Sequence, residues 1–197
     1  MSRKQKTEKM ESHVFDPKNV TVLESEDRKT WQNPAEIIRM LELKSSYVVA
    51  DLGCGSGYFA VPISRKVKKV YGVDVQKEML EYLEQKIREQ KIGNIETLLS
   101  EENKIPLKDE SVDMLLSVNT LHEFQDKEKM IKEMQRVLRP NGRATIVDFR
   151  KEDTGFGPPV SVRVSKEQVE RLFEKQGLTV LTTHDLKYHC LIVFRKE

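Results

Sequence analysis

Asp51-Leu52-Gly53-Cys54-Gly55-Ser56-Gly57-Tyr58 sets three glycines at alternate positions behind a carboxylate. Glycines let a backbone turn sharply and come close to a ligand, and free N–H groups at the start of a following helix face that ligand. Read from Gly55, the stretch to Ala60 also satisfies G-x-G-x-x-A, and Asp74 stands where dinucleotide folds carry their ribose acid. The glycines alone leave two ligand classes open, a dinucleotide and another adenosine compound. Asp51 helps to separate them: a fixed carboxylate at the mouth of the loop repels a pyrophosphate and favours an ammonium or sulfonium. Asp74 can accept two charge-assisted hydrogen bonds from a ribose diol, each worth about 1.5–3 kcal/mol. The expected ligand is adenosine joined to a positive centre, without phosphates.

These residues need a frame that holds them at one edge. Regular patterning begins at Pro34, which opens a helix with Ile37, Ile38, Met40 and Leu41 on its apolar side. Short apolar runs at 47–50, 70–73, 95–99, 112–118 and 144–147 then alternate with stretches of helical spacing. Gly93-Asn94 is read as the stop of the helix after the second run, and Arg139-Pro140-Asn141-Gly142 as the turn closing the helix before the fifth. Ser165-Lys166-Glu167-Gln168 is a capping-box start for the last helix, ended by Gly177. Leu178–Leu181 and Cys190–Phe194 have only a polar link between them and are read as an antiparallel pair. The expected fold is therefore α/β: a doubly wound, mostly parallel seven-stranded sheet with an antiparallel C-terminal hairpin. Ligands of such sheets lie beyond the carboxyl ends of the strands. Those ends are Asp51, Asp74, Glu101, Asn119 and Asp148.

Composition narrows the function classes. The 197 residues carry 34 Lys+Arg against 32 Asp+Glu, a net charge of +2 that argues against a strongly polyanion-seeking protein. Arg3, Lys4, Lys6 and Lys9 are diluted by Glu8 and Glu11 and read as a solvated tail. The polar N-terminus is no secretory signal, and no apolar stretch is long enough to span a bilayer. Two distant cysteines, Cys54 and Cys190, make neither a disulfide framework nor a CxxC metal site. A cytoplasmic protein without a metal is expected, with residues 1–33 a polar segment and residues 34–197 the folded domain. Phe15, Trp31 and Asn33 precede the core, and one of the two aromatics is a candidate cover for the site.

The loop, with Val48-Val49-Ala50 before it, resembles the D-x-G-x-G-x-G signature of class I S-adenosylmethionine-dependent methyltransferases. Val73-Asp74-Val75, the segment Ser100–Leu107, the stretch from Val112 to Phe124 and the Leu138–Arg143 turn resemble that family's later motifs in order. The resemblance runs from about Pro34 to the end. It implies a Rossmann-like methyltransferase fold that binds S-adenosyl-L-methionine and releases S-adenosyl-L-homocysteine. It implies cofactor contacts from Asp51, Gly53, Gly55, Gly57 and Tyr58, with Asp74 on the ribose, Val75 against the adenine and Glu101 or Glu102 on its amino group. Asn119 is either a cofactor contact or a turn residue.

Methyl transfer needs alignment, dehydration and, for a protonated nucleophile, a base. His122 and Asp148 are the candidate bases, with packing or capping roles as the alternatives. Arg163, in a Gly/Pro-rich loop after the fifth strand, is a candidate for an anionic substrate group or else a connector residue. The Asn/Asp-Pro-Pro-aromatic sequence of many nucleic-acid amino-methyltransferases is absent after the fourth strand, where Ser117-Val118-Asn119-Thr120 stands. That points to a small-molecule acceptor over a nucleic acid. Two other functions stay open: a module that binds S-adenosylmethionine or S-adenosylhomocysteine without turnover, and a dinucleotide-dependent oxidoreductase.

Overall fold

β-Branched and apolar residues dominate the segments that become strands. The computed structural model describes Val20 and residues 24–197; His13, Phe15 and the basic residues of the tail lie outside the described residues. Two short helices come first, α1 (Glu26–Trp31) and α2 (Pro34–Met40). Asn33 caps α2 by accepting from the Ala35 N–H at 2.9 Å, and Pro34 takes the first turn, where its missing N–H costs nothing. Strands and helices then alternate: β1 (Val48–Leu52), α3 (Ala60–Ser64), β2 (Lys69–Asp74), α4 (Lys77–Glu89), β3 (Ile95–Leu99) and β4 (Val112–Val118). After β4 come a 3-10 turn at Leu121–Glu123, α5 (Lys127–Val137), β5 (Leu138–Phe149), α6 (Lys166–Lys175), β6 (Leu178–Asp185) and β7 (His189–Lys196).

The seven strands form one sheet in the order β3-β2-β1-β4-β5-β7-β6. The pairs β3-β2, β2-β1, β1-β4 and β4-β5 are parallel, and β7 is antiparallel to both β5 and β6. This is the expected doubly wound sheet with its terminal hairpin. From β1 the chain winds outward to β2 and β3 and then returns to place β4 on the other side. The switch point is thus between β1 and β4.

Alternation along the strands divides the core. Ala50 and Leu52 of β1 face the layer built from α5 and α6, whereas Val49 faces the layer of α2, α3 and α4. Phe173 of α6 stacks on Phe194 of β7 at 4.1 Å. Each such fully buried side chain contributes about 1.5–3 kcal/mol relative to exposure.

Two boundaries differ from the sequence expectation. Helix α4 ends at Glu89 and the chain reverses at Lys91, with φ +52°, ahead of Gly93. Helix α5 runs directly into β5 at Leu138, so Arg139–Gly142 belongs to the strand. Leu138 pairs with Val112 and Arg143 with Met114, so the four residues 139–142 are accommodated opposite Asp113 as a register shift. The Asp113 carboxylate accepts from Arg139 Nη1 at 2.8 Å and from the Val48 N–H at 2.7 Å, which holds that irregularity to β1. The α6 capping box forms as expected between Ser165 and Gln168.

Candidate functional site

A cavity of about 530 Å³ opens at the carboxyl ends of β1, β2 and β4. Its floor is the glycine loop. The Gly53 and Cys54 N–H groups both donate to the Val73 carbonyl, at 2.8 and 3.1 Å, which lashes the loop to β2. Gly53 has φ +72°, and a Cβ there would lie 2.3 Å from Thr120 Oγ1, so only glycine lets this turn meet the segment after β4.

Two carboxylates share one wall. Asp74 Oδ2 accepts from the Gly55 N–H at 2.8 Å and Oδ1 from the Gln76 N–H at 3.0 Å. The Val75 N–H is a third backbone donor, so of about four acceptor positions the carboxylate keeps one open. Burial raises its pKa, against the pull of those N–H groups. Asp51 is 2% exposed, and its Oδ2 makes no hydrogen bond among the described residues. Burial and the charge of Asp74 push Asp51 up to about 7, opposed by the Ala60 N–H and by Arg28. The Oγ of Ser100, on the same cavity wall, is likewise buried without a partner among the described residues. The wall thus holds two unpartnered polar oxygens beside a pair of carboxylates that burial makes costly to ionise.

Helix α1 roofs this floor. The Arg28 guanidinium lies 4.0 Å over the Tyr58 ring, and its Nε and Nη2 donate to Gln32 Oε1 at 3.1 and 2.9 Å. Burial lowers its pKa to about 10. Gln32 exchanges two amide hydrogen bonds with Asn119, both at 3.2 Å, and its Nε2 lies 3.3 Å from His189 Nε2. His189 is fully buried and held neutral, its pKa lowered to about 4 by burial. Glu24, just ahead of α1, reaches the loop through Ser56 Oγ and pairs with Lys86 of α4 at 2.6 Å. None of Glu24, Arg28 or Gln32 is marked by the local sequence, because their role comes from a helix that crosses back over the strand ends.

Beyond β4 lies a second polar pair. His122 Nδ1 and Asp148 Oδ1 are 2.8 Å apart, and Asp148 Oδ2 accepts from the His122 backbone N–H at 3.1 Å. The Phe149 N–H also donates to Asp148 Oδ1, at 2.8 Å. Burial works against a charged His122, but the hydrogen bond and charge of Asp148, with Glu123, outweigh it and raise its pKa. With Nδ1 turned to Asp148, Nε2 is the nitrogen left for the cavity.

Asp51, Gly53, Gly55, Tyr58, Asp74, Val75, Glu102, Asn119 and His122 all line this cavity. Val75 is 45% exposed, an apolar side chain left open at a strand end. Four expected site residues do not line it. Gly57 packs instead against Leu83, where a Cβ would approach to 2.5 Å. The Glu101 carbonyl accepts from the Lys104 N–H at 3.3 Å, and of the two glutamates Glu102 is the one that lines the wall. Asp148 stands behind His122. Arg163 is turned away from any substrate: Nη1 donates to the Arg150 and Glu152 carbonyls and to Thr154 Oγ1, Nε to the Pro158 carbonyl and Nη2 to the Phe156 carbonyl, at 2.7–3.1 Å. It ties the loop together, and its buried guanidinium stays outside the cavity lining. Trp31, Phe156, Pro158 and Pro159 join the lining from α1 and that loop.

Among known proteins, a family model described as a methyltransferase domain matches residues 50–146. A solved structure of a SAM dependent methyltransferase from Aquifex aeolicus is 32% identical, with a TM-score of 0.88 over 93% of this chain and 100% of that one. YcgJ, an uncharacterized methyltransferase of Bacillus subtilis, is 31% identical over 118 residues, 59% of this chain and 47% of YcgJ. A demethylmenaquinone methyltransferase of Porphyromonas gingivalis is 32% identical over 127 residues, 62% of this chain and 51% of that protein. The chain spans about half the length of these curated relatives.

Proposed function

The chain belongs to the S-adenosylmethionine-dependent methyltransferases, and from that premise we propose that it transfers the methyl group of S-adenosyl-L-methionine to a small-molecule acceptor by in-line displacement. The observation that carries this reading is Asp51, a buried carboxylate with an orphaned oxygen in the cavity and a pKa pushed up to about 7. A cation beside it relieves both the lost solvation and the repulsion from Asp74, whereas a pyrophosphate adds to the repulsion. That is why a dinucleotide fits this floor badly.

When bound, S-adenosylmethionine supplies a methyl group made electrophilic by the positive sulfur. The chain's own residues do the rest. Asp74 accepts from the ribose diol while the Gly55, Val75 and Gln76 N–H groups keep the carboxylate aimed. Val75 offers an apolar face to the base, and Glu102 or Ser100 a polar edge. His122 Nε2 removes a proton from an oxygen or nitrogen acceptor, and Asp148 acts as a positioning residue that fixes the ring and favours the imidazolium that forms. Loop 150–163 and Trp31 exclude water from the transfer.

The acceptor's small-molecule character is supported by the name of the Porphyromonas relative, a demethylmenaquinone methyltransferase. Two buried free cysteines, with no helix among the described residues long and apolar enough to cross a membrane, accord with a reducing cytosol. Calorimetric titration with S-adenosylhomocysteine tests the reading. Binding should be saturable, and Asp74→Ala should weaken it roughly 10- to 100-fold, as loss of a charge-assisted hydrogen bond predicts. Unaltered affinity in that variant contradicts the ribose assignment.

A further inference from the structure

The part of the cavity around His122 is walled by Trp31, Phe149, Phe156, Pro158 and Pro159. The rings form one continuous aromatic surface. Trp31 meets Phe156 edge-to-face at 5.0 Å, Phe156 meets Phe149 at 5.5 Å, and Phe149 meets the His122 imidazole at 6.5 Å. The surface is held rigidly. A Cβ at Gly157 would lie 2.6 Å from the Phe149 ring, so the loop backbone presses directly on that ring, and Arg163 lies 5.2 Å over its centroid while bonding the loop carbonyls.

The charges around this chamber argue against an ionic acceptor. Arg163 has its guanidinium on loop oxygens, and Lys127 Nζ donates to the Phe124 carbonyl at 2.7 Å. Arg28 lies over Tyr58 and donates to Gln32. Arg28 shares the cavity lining with four acids, Asp51, Asp74, Glu102 and Glu123, so a substrate anion meets a surplus of like charge. A cationic acceptor is disfavoured because the proton that His122 Nε2 takes from the reacting group leaves an imidazolium, paired with Asp148, directly beside it.

Resting on the methyltransferase reading of this site, we propose that the acceptor is an uncharged, planar aromatic compound carrying a hydroxyl group. Its ring lies among Trp31, Phe149 and Phe156, and its O–H faces Nε2 of His122. His122 takes the hydroxyl proton as an oxygen lone pair forms the new O–CH3 bond and the S–CH3 bond breaks with its electron pair returning to sulfur. The products are an aryl methyl ether and neutral S-adenosylhomocysteine, and the proton passes from His122 to solvent. Aromatic walls reward such a ring beyond its buried area, through offset and edge-to-face contacts.

Trp31 is the single tryptophan of the chain, so its fluorescence reads occupancy of the chamber without turnover. 2-Naphthol, 2-naphthoate and 2-naphthylmethylammonium present closely matched rings with a neutral, a negative and a positive substituent. With S-adenosylhomocysteine present, 2-naphthol should quench saturably at a concentration at least about tenfold below either ion. Phe156→Ala should weaken 2-naphthol by about three- to tenfold, the range expected for loss of one aromatic contact, and leave S-adenosylhomocysteine affinity unchanged. Phe156→Leu, which keeps the apolar bulk, gives the same comparison if the alanine variant unfolds. Equal or tighter binding of either ion overturns the proposal, as does 2-naphthol binding that ignores both Phe156 variants. Loss of S-adenosylhomocysteine binding with the naphthol titration intact overturns the methyltransferase reading, whereas the reverse result overturns only the acceptor class.

Discussion

Asp51 and His122 each sit where burial and a neighbouring carboxylate set their proton affinity, and both make measurable predictions. The value for Asp51 lies at about 7, above the roughly 3.9 of an unfolded aspartate. Its contribution to stability is therefore fully present below the unfolded value and is lost as pH rises through 7. A bound cation favours the ionised form. S-Adenosylmethionine binding near pH 6 should thus release a proton, seen calorimetrically in buffers of different ionisation enthalpy, and Asp51→Asn should abolish that release. Equal proton release by wild type and variant contradicts the role of Asp51. For His122 the shift is upward, so methyl transfer to a hydroxyl should rise with pH along a limb placed above the ordinary histidine value. Asp148→Asn removes the interaction that raises it, so the limb should move to lower pH. The rate should also fall by about 10²- to 10⁴-fold, the span of a general-base contribution. A rate loss with the limb unmoved contradicts the positioning role. Asp51, Asp74 and Asn119 were legible because polar residues directly after apolar runs fall at strand ends, and His122 because it follows the fourth run closely. Arg28 and Gln32 were not, since a helix of six residues in a polar segment carries no periodic signal.

Two elements carry the walls. Helix α1 is joined to the end of β4 and the start of β7 through the Gln32 side chain. Gln32→Leu keeps the volume but strips partners from Asn119 and His189, and unsatisfied buried polar groups cost about 1–3 kcal/mol. Urea denaturation should show a loss of that size; a loss well under 1 kcal/mol would mean the hub is not what docks α1. The loop after β5 depends on Arg163, whose carbonyl contacts span residues 150–158. Arg163→Ala should raise the acceptor KM more than tenfold while S-adenosylhomocysteine affinity changes less than about twofold, because the loop walls only the far half of the cavity. Phe156 and Pro158 of this loop line the cavity, and of the two roles open to Arg163 its hydrogen bonds are those of a connector residue. Burial of an arginine by its own loop carbonyls leaves no mark in the local sequence. The Arg139–Gly142 stretch misled for a related reason: it has turn residues, yet its φ reversal at Asn141 is absorbed within a strand paired to β4.

At the scale of the molecule, the doubly wound sheet places its switch point between β1 and β4, and the polar residues at those strand ends converge there. Strand–helix alternation and the final hairpin were enough to anticipate the strand count and the parallel core. What alternation could not give was the division of the cavity into an acidic floor and an aromatic chamber, because that depends on α1 and the loop after β5 meeting across the sheet edge. The most direct test is the electron density of crystals grown with S-adenosylhomocysteine. The account predicts the ribose hydroxyls within about 2.6–3.2 Å of the Asp74 carboxylate and the sulfur directed toward the chamber of His122. Density for the ligand elsewhere, or with the ribose away from Asp74, would contradict it.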